Sequence, residues 1–480
     1  MKSFDQMHFK RKWALSLFKN KHIRLGEMSL YKDFTRDTRG DPYPITGRSG
    51  DLRESVSGNR WRVERGSVRR LLGDYFPYAT YCFRAESLGR GAGFTFESPI
   101  TRGTVLFRHG EKGITAELGV DDRFDTGIPF TPGMAFLVTC RPGAFDLYLD
   151  SGDAPVYVGT LTRPSLANVE YEEIMAKSTV SAMAMEGAVL YDVTYFMDSG
   201  IAQADIRPIR TEDGKVLYET GKIWLSISVR MQEGCYQGIL SWVPGTAEIE
   251  LTGALFFNVG DGRVTNDVAS SILYHRGEKR WYIWYCSFSH DHRLAHGIMD
   301  GDPRFGLNIV DATLMEMGGK FEAFAGVTGD EDPDFFFDAA SGWWYMTICR
   351  LRETDQGKKY RYVLFRSREP FAGYEYVTNS VEGEETGGSL IPWNGGIAFV
   401  CGSDFSKRAQ YHVYALPDFE NWQPLHPDFD DGGFRGWGTI LPIPMGSRTR
   451  VFWLTFDRSL GSSYNWSYGN LYCFEATDVK

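Results

Sequence analysis

The sequence predicts an all-β chain, an N-terminal β-sandwich followed by a five-bladed β-propeller. Three observations carry that prediction. Short alternating apolar and polar runs, each closed by Gly, Pro or Asp, fill residues 58 to 165. From residue 186 a longer unit recurs, again made of strands. A sustained helical period is nearly absent from both regions. The expected division is a helical segment over 1–28, the sandwich over 29–185 and the propeller over 186–480.

A chain of 480 residues exceeds one typical core, which supports two domains. Its 42% hydrophobic and 24% charged residues are those of a globular protein. With 52 Lys and Arg against 62 Asp and Glu, the net charge of −10 argues against a nucleic-acid partner, which needs concentrated cations to displace counterions. The seven Cys are scattered and form no C-x-x-C pair, so reduced thiols are expected rather than a disulfide framework or zinc ribbon. The basic start "MKSFDQMHFKRKWALSLFKNKHIRL" holds only a short apolar run and no cleavage-site pattern, and no stretch reaches the length of a membrane span. A cytoplasmic protein without a membrane partner is the expectation, and a homo-oligomer is compatible with it.

Within residues 4 to 20, Phe9, Trp13, Leu15, Leu17 and Phe18 are spaced as on one amphipathic helix packed against a neighbouring domain. The sandwich strands then follow as "YATYCFRAE", "AGFTFESP", "GTVLFRHG", "GITAELG", "AFLVTCRPG", "FDLYLDSG" and "PVYVGTLT". Nothing in them chooses between glycan binding, walling off a site and dimerisation.

The repeating unit opens on a carboxylate, passes through a short strand and a Gly-containing turn, and enters an aromatic strand. Its copies are "ADIRPIRTEDGKVLYETGKIWLSISVR", "NDVASSILYHRGEKRWYIWYCSFS", "EDPDFFFDAASGWWYMTICR" and "EETGGSLIPWNGGIAFVCGSD". The leading acids Asp205, Asp267, Asp332 and Glu385 recur at intervals of about 50 to 65 residues, the size of a propeller blade. A further copy, "FRGWGTILPIPMGSRTRVFWLTFDR", has Arg435 and Trp437 in place of the acid. Ser228, Cys286, Cys349 and Cys401 align on the second strand, as small side chains would at a crowded level.

Inner strands of a propeller start beside one axis, so these acids are expected to converge. Carboxyls gathered in a partly dry pocket cannot all ionise, which yields an acid and a base, the division of labour that glycosidic cleavage requires. For a single acid the alternative is a solvated turn residue; repetition in register argues against it.

Over residues 186 to 475 the pattern resembles the five-bladed propeller glycoside hydrolases, the arabinanase and β-xylosidase group (glycoside hydrolase family 43) with its invertase and levansucrase relatives. The resemblance implies Asp205 in "ADIRP" as general base, Asp332 in "EDPDFFFD" as the residue that orients the acid and tunes its pKa, and Glu385 in "EETGGS" as general acid. It gives Asp267 in "TNDVASS" a sugar or structural contact. The first repeat lacks His-Asp-Pro and the fourth lacks Glu-Gly-Pro, which leaves Glu382 and Glu384 as rivals to Glu385.

Further substrate contacts are expected from Arg207, Arg350, His290 and His292 near the strand openings, and from Trp437 as an aromatic platform where the acid is missing. Most other Trp, among them Trp281, Trp284, Trp343, Trp344 and Trp453, read as blade packing. The run "SFSHDHRLAHG" could place His290, His292 and His296 on a metal, but its spacing fits no zinc family, so loop hydrogen bonds to substrate are the favoured reading. No cofactor is expected beyond a structural metal near the propeller axis. No G-x-S-x-G elbow, P-loop or dinucleotide fingerprint occurs in the right context, since "GRGAGF" precedes a strand.

The expected activity is hydrolysis of a furanoside or pentopyranoside in an oligosaccharide, from the chain end. A mannoside-phosphorylase-like enzyme and a non-catalytic carbohydrate-binding protein are the alternatives.

Overall fold

The computed structural model describes residues 3–15, 22–24, 44–57, 60–119, 122–152, 155–167, 170–198, 200, 202–232, 234–317, 327–355, 357–380, 385–403, 411–427, 434–457 and 470–478. Contacts divide the chain into two units, His22–Asp198 with Gly262–Val264, and Met1–Lys21 with Ser199–Asp261 and Thr265–Lys480. Among the described residues no helix is long and apolar enough to cross a membrane, and all seven Cys are free.

The unit built on His22–Asp198 is one continuous sheet of thirteen strands. Ala188–Asp198, Arg60–Asp74 and Thr179–Met185 run through its middle and separate two halves. Thr80–Leu88, Ala135–Arg141 and Ala144–Asp150 lie in one half, and Ala92–Glu97 and Arg102–Gly110 in the other. Alternation in each strand puts aromatic rings on a single face, and the sheet folds back so that those faces meet. Phe96 lies 4.6 Å from Phe145, Phe107 5.0 Å from Phe136 and Phe83 5.4 Å from Phe94, centroid to centroid. The expected sandwich is present. It extends past residue 185, because Ala188–Asp198 pairs with Thr80–Leu88.

The second unit consists of antiparallel meanders of four strands. They begin at Ala202–Pro208, Val268–His275, Val327–Asp338, Glu385–Trp393 and Phe434–Met445. The first two are joined into one larger sheet by parallel pairing of their outer strands, Ile249–Asn258 and Gly306–Leu314. Each opening strand lies against the next, and Phe434–Met445 lies against Ala202–Pro208, so the opening strands form a closed ring around an axis. Wedges of aromatic side chains fill the space between successive meanders. Phe257 stacks on Tyr285 at 3.7 Å between the first and second, and Trp284 on Phe335 at 4.3 Å between the second and third. Tyr362 meets Phe399 at 4.6 Å between the third and fourth, and Tyr411 meets Trp453 at 4.5 Å between the fourth and last. Trp242 against Phe452, at 5.3 Å, closes the circle. Each such fully buried side chain contributes roughly 1.5–3 kcal/mol. Trp281, Trp284, Trp344 and Trp453 are therefore packing residues, as expected. Trp343 instead lies under the guanidinium groups of Arg366 and Arg368.

The N-terminal helix is the clear correction. Met7–Leu15 is a β-strand that pairs antiparallel with Leu471–Asp478 and supplies the outer strand of the last meander. Two ends of the chain thus complete one sheet. Met7 and Phe9 point into the cluster around Trp453, while Lys10, Arg11 and Lys12 face solvent. A register shift between Arg11 and Trp13 breaks the two-residue alternation, which is why the apolar spacing mimics a helix.

Phe9 is fully buried against Trp453, so Phe9→Ala is expected to destabilise the propeller unit by about 3–5 kcal/mol. Urea denaturation followed by Trp fluorescence checks this, and an unmoved midpoint would show that the strand closes nothing.

Candidate active site

The opening strands of the first four meanders share a local defect. Between one paired position and the next, two residues oppose a single residue of the second strand, forming a β-bulge. The bulged pairs are Asp205-Ile206, Ala269-Ser270, Asp332-Pro333 and Gly387-Gly388. The first residue of each has a left-handed backbone, with φ of 53°, 60°, 52° and 63° respectively. Such a conformation costs on the order of 1–3 kcal/mol for a residue with a side chain, and Asp tolerates it better than most. Here it turns the side chains of Asp205 and Asp332 out of the pleat and toward the mouth of the ring.

This geometry corrects the sequence register. Asp205 and Asp332 are structurally equivalent, but their counterparts are Ala269 and Gly387; Asp267 and Glu385 each stand two residues earlier. Ser228, Cys286 and Cys349 do match, pairing with Ala204, Val268 and Glu331. Their fourth counterpart is Gly402, opposite Thr386, so Cys401 lies one position off and faces the third meander. The small residues are required because that level touches the next opening strand: Ser228 Oγ accepts from the Ala269 N–H, and the Cys286 and Cys349 thiols reach the carbonyls of Asp330 and Glu385.

A pocket of about 370 Å³ opens at this level. Asp205, Asp267, Asp332, Glu331, His292 and Arg230 line it with further residues of the same strands. Asp205 accepts a 2.6 Å hydrogen bond from Ser228 Oγ and lies 3.9 Å from an Arg230 nitrogen. Asp332 accepts from Thr386 Oγ1 at 3.1 Å and the Gly387 N–H at 3.2 Å, both on one oxygen. Burial, then the charge of Asp205, push the Asp332 carboxyl up to about 7, against an opposing pull from Arg207. Asp332 therefore keeps its proton to a higher pH than an ordinary carboxyl does. Asp267 is differently employed: hydroxyls of Thr265 and Ser287 donate to one oxygen, both at 2.8 Å, and the Ser289 N–H to the other at 2.9 Å. It anchors the turn Phe288–His290 at the mouth.

Other expected site residues are placed elsewhere. Glu385 is absent from the pocket lining; its carboxylate accepts from His412 Nδ1 and, at 2.6 Å, from Tyr414 Oη. Arg207 is buried and donates to the carbonyls of Asp332 and Gly388, bracing the first opening strand against the third and fourth. Arg350 is buried in a two-bond pair with Asp330, at 2.7 and 2.8 Å. His290 is held by Ser287 and Asp261 outside the lining, whereas His292 lines the pocket. The Trp437 side chain, Glu382 and Glu384 lie outside the described residues. No group of three His, Cys, Asp or Glu among the described residues stands ready to hold a metal ion. Among the described residues, Arg207 and Arg210 stand near the axis.

Sequence reasoning missed Arg230, Glu331 and Thr386. Glu331 was visible as the neighbour of Asp332, and the alternation of a strand gave no sign that a bulge would keep both beside the pocket. It also missed Arg210 and Asp334, the residues below the pocket. Arg210 donates to Asp334 at 2.9 and 3.1 Å; Ser271 Oγ and the Leu390 N–H add bonds at 2.7 and 2.6 Å.

No protein-family model matches the chain, and neither does any curated protein. Among solved structures, the chain is similar to an inulosucrase from Halalkalicoccus jeotgali bound to kestose, at 13% identity over 58% of this chain and 85% of that one, with a TM-score of 0.42. A thermostable family-43 glycoside hydrolase is similar at 13% identity, over 58% and 91%, with a TM-score of 0.38. Levansucrase of Bacillus subtilis is similar at 11% identity, over 58% and 86%, with a TM-score of 0.40. These likenesses are distant, and the chemistry of the pocket rests on its own residues.

The raised Asp332 carboxyl has a consequence for stability. The folded protein binds this proton more tightly than the unfolded chain, so the stabilisation is full below about pH 4 and is lost as pH rises through about 7. The difference amounts to on the order of 4 kcal/mol. Asp332→Asn, which cannot ionise, is expected to raise Tm relative to wild type more at pH 8 than at pH 5. A Tm difference that shrinks with rising pH would contradict the assignment.

Proposed function

We propose that the protein is a glycoside hydrolase that cleaves a terminal sugar from an oligosaccharide, with each meander of the second unit acting as one blade of a five-bladed propeller. One observation carries the reading: two carboxyls from opposite parts of the ring, Asp205 and Asp332, share one pocket, and burial with mutual repulsion keeps a proton on Asp332. Asp205, whose charge is what repels a second one on Asp332, is assigned the role of base or nucleophile. It takes the proton of the attacking water, or attacks the anomeric carbon itself, and its charge opposes the positive charge that develops on the sugar ring in the transition state. Neutral Asp332 donates a hydrogen bond to a ring hydroxyl and leaves a single negative charge facing the reacting carbon. Arg230, close to Asp205, limits that charge to the carboxylate and orients it.

Cleavage from the chain end is the proposed mode of action. A furanoside or pentopyranoside is the proposed substrate class. The phosphorylase alternative would draw on Arg207, Arg350 and the His cluster for phosphate; both Arg are engaged by protein groups, while His292 lines the pocket. The second unit is proposed as the catalytic domain and the sandwich as its accessory.

Release of aryl alcohol or sugar across a panel of aryl glycosides and oligosaccharides, with and without phosphate, tests the proposal. Asp205→Asn is expected to lower kcat by about 10²–10⁴-fold on the best substrate, with an unchanged circular dichroism spectrum. A wild-type protein that binds sugars but turns over none of the panel, or full activity in Asp205→Asn, would count against it.

A further inference from the structure

A β-bulge leaves main-chain groups without a ladder partner, and a carbonyl shut away from water needs a donor. In the third opening strand the ladder passes from Glu331 opposite Cys349 to Asp334 opposite Thr347, and in the fourth from Thr386 opposite Gly402 to Ser389 opposite Val400. One side chain serves both bulges. Arg207 Nη2 donates to the Asp332 carbonyl at 3.3 Å and to the Gly388 carbonyl at 3.2 Å, and Nε reaches Gly388 as well, at 3.3 Å. We infer that Arg207 is a positioning residue of the active site, which locks the Asp332 carboxyl in place by gripping the carbonyls of both bulges. The assignment rests on the hydrolase reading above and names what holds the carboxyl on which that reading turns.

The contacts form a closed circuit. Asp332 Oδ2 accepts from Thr386 Oγ1 at 3.1 Å and from the Gly387 N–H at 3.2 Å; the next residue, Gly388, gives its carbonyl to Arg207, and Arg207 returns to the Asp332 main chain. Side chain and backbone of Asp332 are therefore tied to one short stretch of the fourth strand. Gly388 suits that stretch: its N–H donates to Tyr362 Oη at 2.5 Å, and a Cβ there would stand 2.0 Å from the Phe399 ring. Arg207 is placed by the first bulge, Asp205-Ile206, since it is the residue at which pairing resumes, opposite Ser226. One irregularity thus presents a carboxyl at the mouth and a buried guanidinium two residues on. Arg207 is 1% exposed and is not among the residues lining the pocket, so it acts on substrate through Asp332.

The guanidinium charge acts at the same place. Burial, then Asp205 of the first opening strand, push the Asp332 carboxyl up; Arg207 pulls it down, and Glu331 beside it adds a smaller push. Burial holds the thiols of Cys286 and Cys349 and the phenols of Tyr360 and Tyr362 protonated well past neutrality. Among the described residues, Arg230 lies 3.9 Å from Asp205 and His292 2.8 Å from Glu331, while Asp267 is taken up by its own turn and Arg210 by Asp334. Arg207 therefore has two separable effects on Asp332, a geometric one through its planar fork of donors and an electrostatic one through its cation.

The first test needs no change at Arg207. In the wild type, the side-chain ¹⁵Nε resonance of Arg207, followed by NMR from about pH 5 to pH 9, should titrate with the Asp332 midpoint near 7 and turn flat in Asp332→Asn. Two variants then separate charge from geometry. Arg207→Gln, which removes the cation, should carry the Asp332 midpoint from near 7 to about 8 or above. Arg207→Lys keeps the charge on a single point donor, so the midpoint should stay near 7 while kcat on the best glycoside falls by about ten- to a hundredfold at unchanged KM. A purely structural role would lower Tm in both variants without this split. An Arg207 signal that is flat in the wild type, an unmoved midpoint in Arg207→Gln, or full kcat in Arg207→Lys overturns the assignment, and the wild-type signal decides alone if neither variant folds. A wild type inert toward all glycosides removes the hydrolase reading, and the NMR titrations still show whether Arg207 holds Asp332.

Discussion

The structure of the second unit depends on a buried ion pair on its axis. Asp334 accepts two bonds from Arg210 of the first opening meander, one from Ser271 in the second and one from the Leu390 N–H in the fourth, and both charged side chains are almost wholly removed from water. An isolated buried charge is costly, and removing one member of such a pair typically costs about 3–5 kcal/mol. Burial pushes the Asp334 carboxyl up, but Arg210, then Arg207 and the hydrogen bonds outweigh it and hold the group below the usual carboxylate range. Because its partners come from different parts of the ring, the pair fixes how closely the opening strands approach the axis. The bulges just above it then set where Asp205 and Asp332 point.

Asp332 and Asp334 show how one strand can give two carboxyls opposite characters. They are two residues apart with Pro333 between them, and both are buried. Asp334 meets cations and donors from three neighbours and stays ionised; Asp332 meets Asp205 and Glu331 and keeps its proton. The first is a structural charge that cannot be spared, the second a chemical group whose ionisation the fold resists. Resistance of that kind is what separates an acid from a base at one pH. The same logic explains why Glu385, with His412 and Tyr414 already on its carboxylate, is a poor match for the role its position in the repeat suggested.

Much of this was legible in the chain, because a repeat of strands, turns and acids advertises a ring before any coordinate is known. Asp205 and Asp332 could be singled out since each opens a repeat. The register of the second and fourth repeats was misread by two residues, because a bulge inserts a residue without leaving a compositional mark, and the equivalents Ala269 and Gly387 carry no acid to align. Met7–Leu15 was hidden for a related reason. Its partner, Leu471–Asp478, lies at the other end of the chain, and the register shift at Arg11 to Trp13 scrambles its alternation. Arg207 and Arg350 looked like substrate contacts, but an Arg near a strand opening can serve carbonyls and carboxylates of its own fold equally well, and only the hydrogen bonds distinguish the two uses.

The account stands most directly on the proton that Asp332 keeps beside the charge of Asp205. Titration of the Asp332 side-chain carboxyl by carbon-detected NMR, assigned by difference against Asp332→Asn, should show a midpoint near 7 that falls toward the ordinary range in Asp205→Asn, where the neighbouring charge is gone. An ordinary midpoint in the wild type, or one that Asp205→Asn leaves in place, would mean that the two groups do not face each other across one pocket.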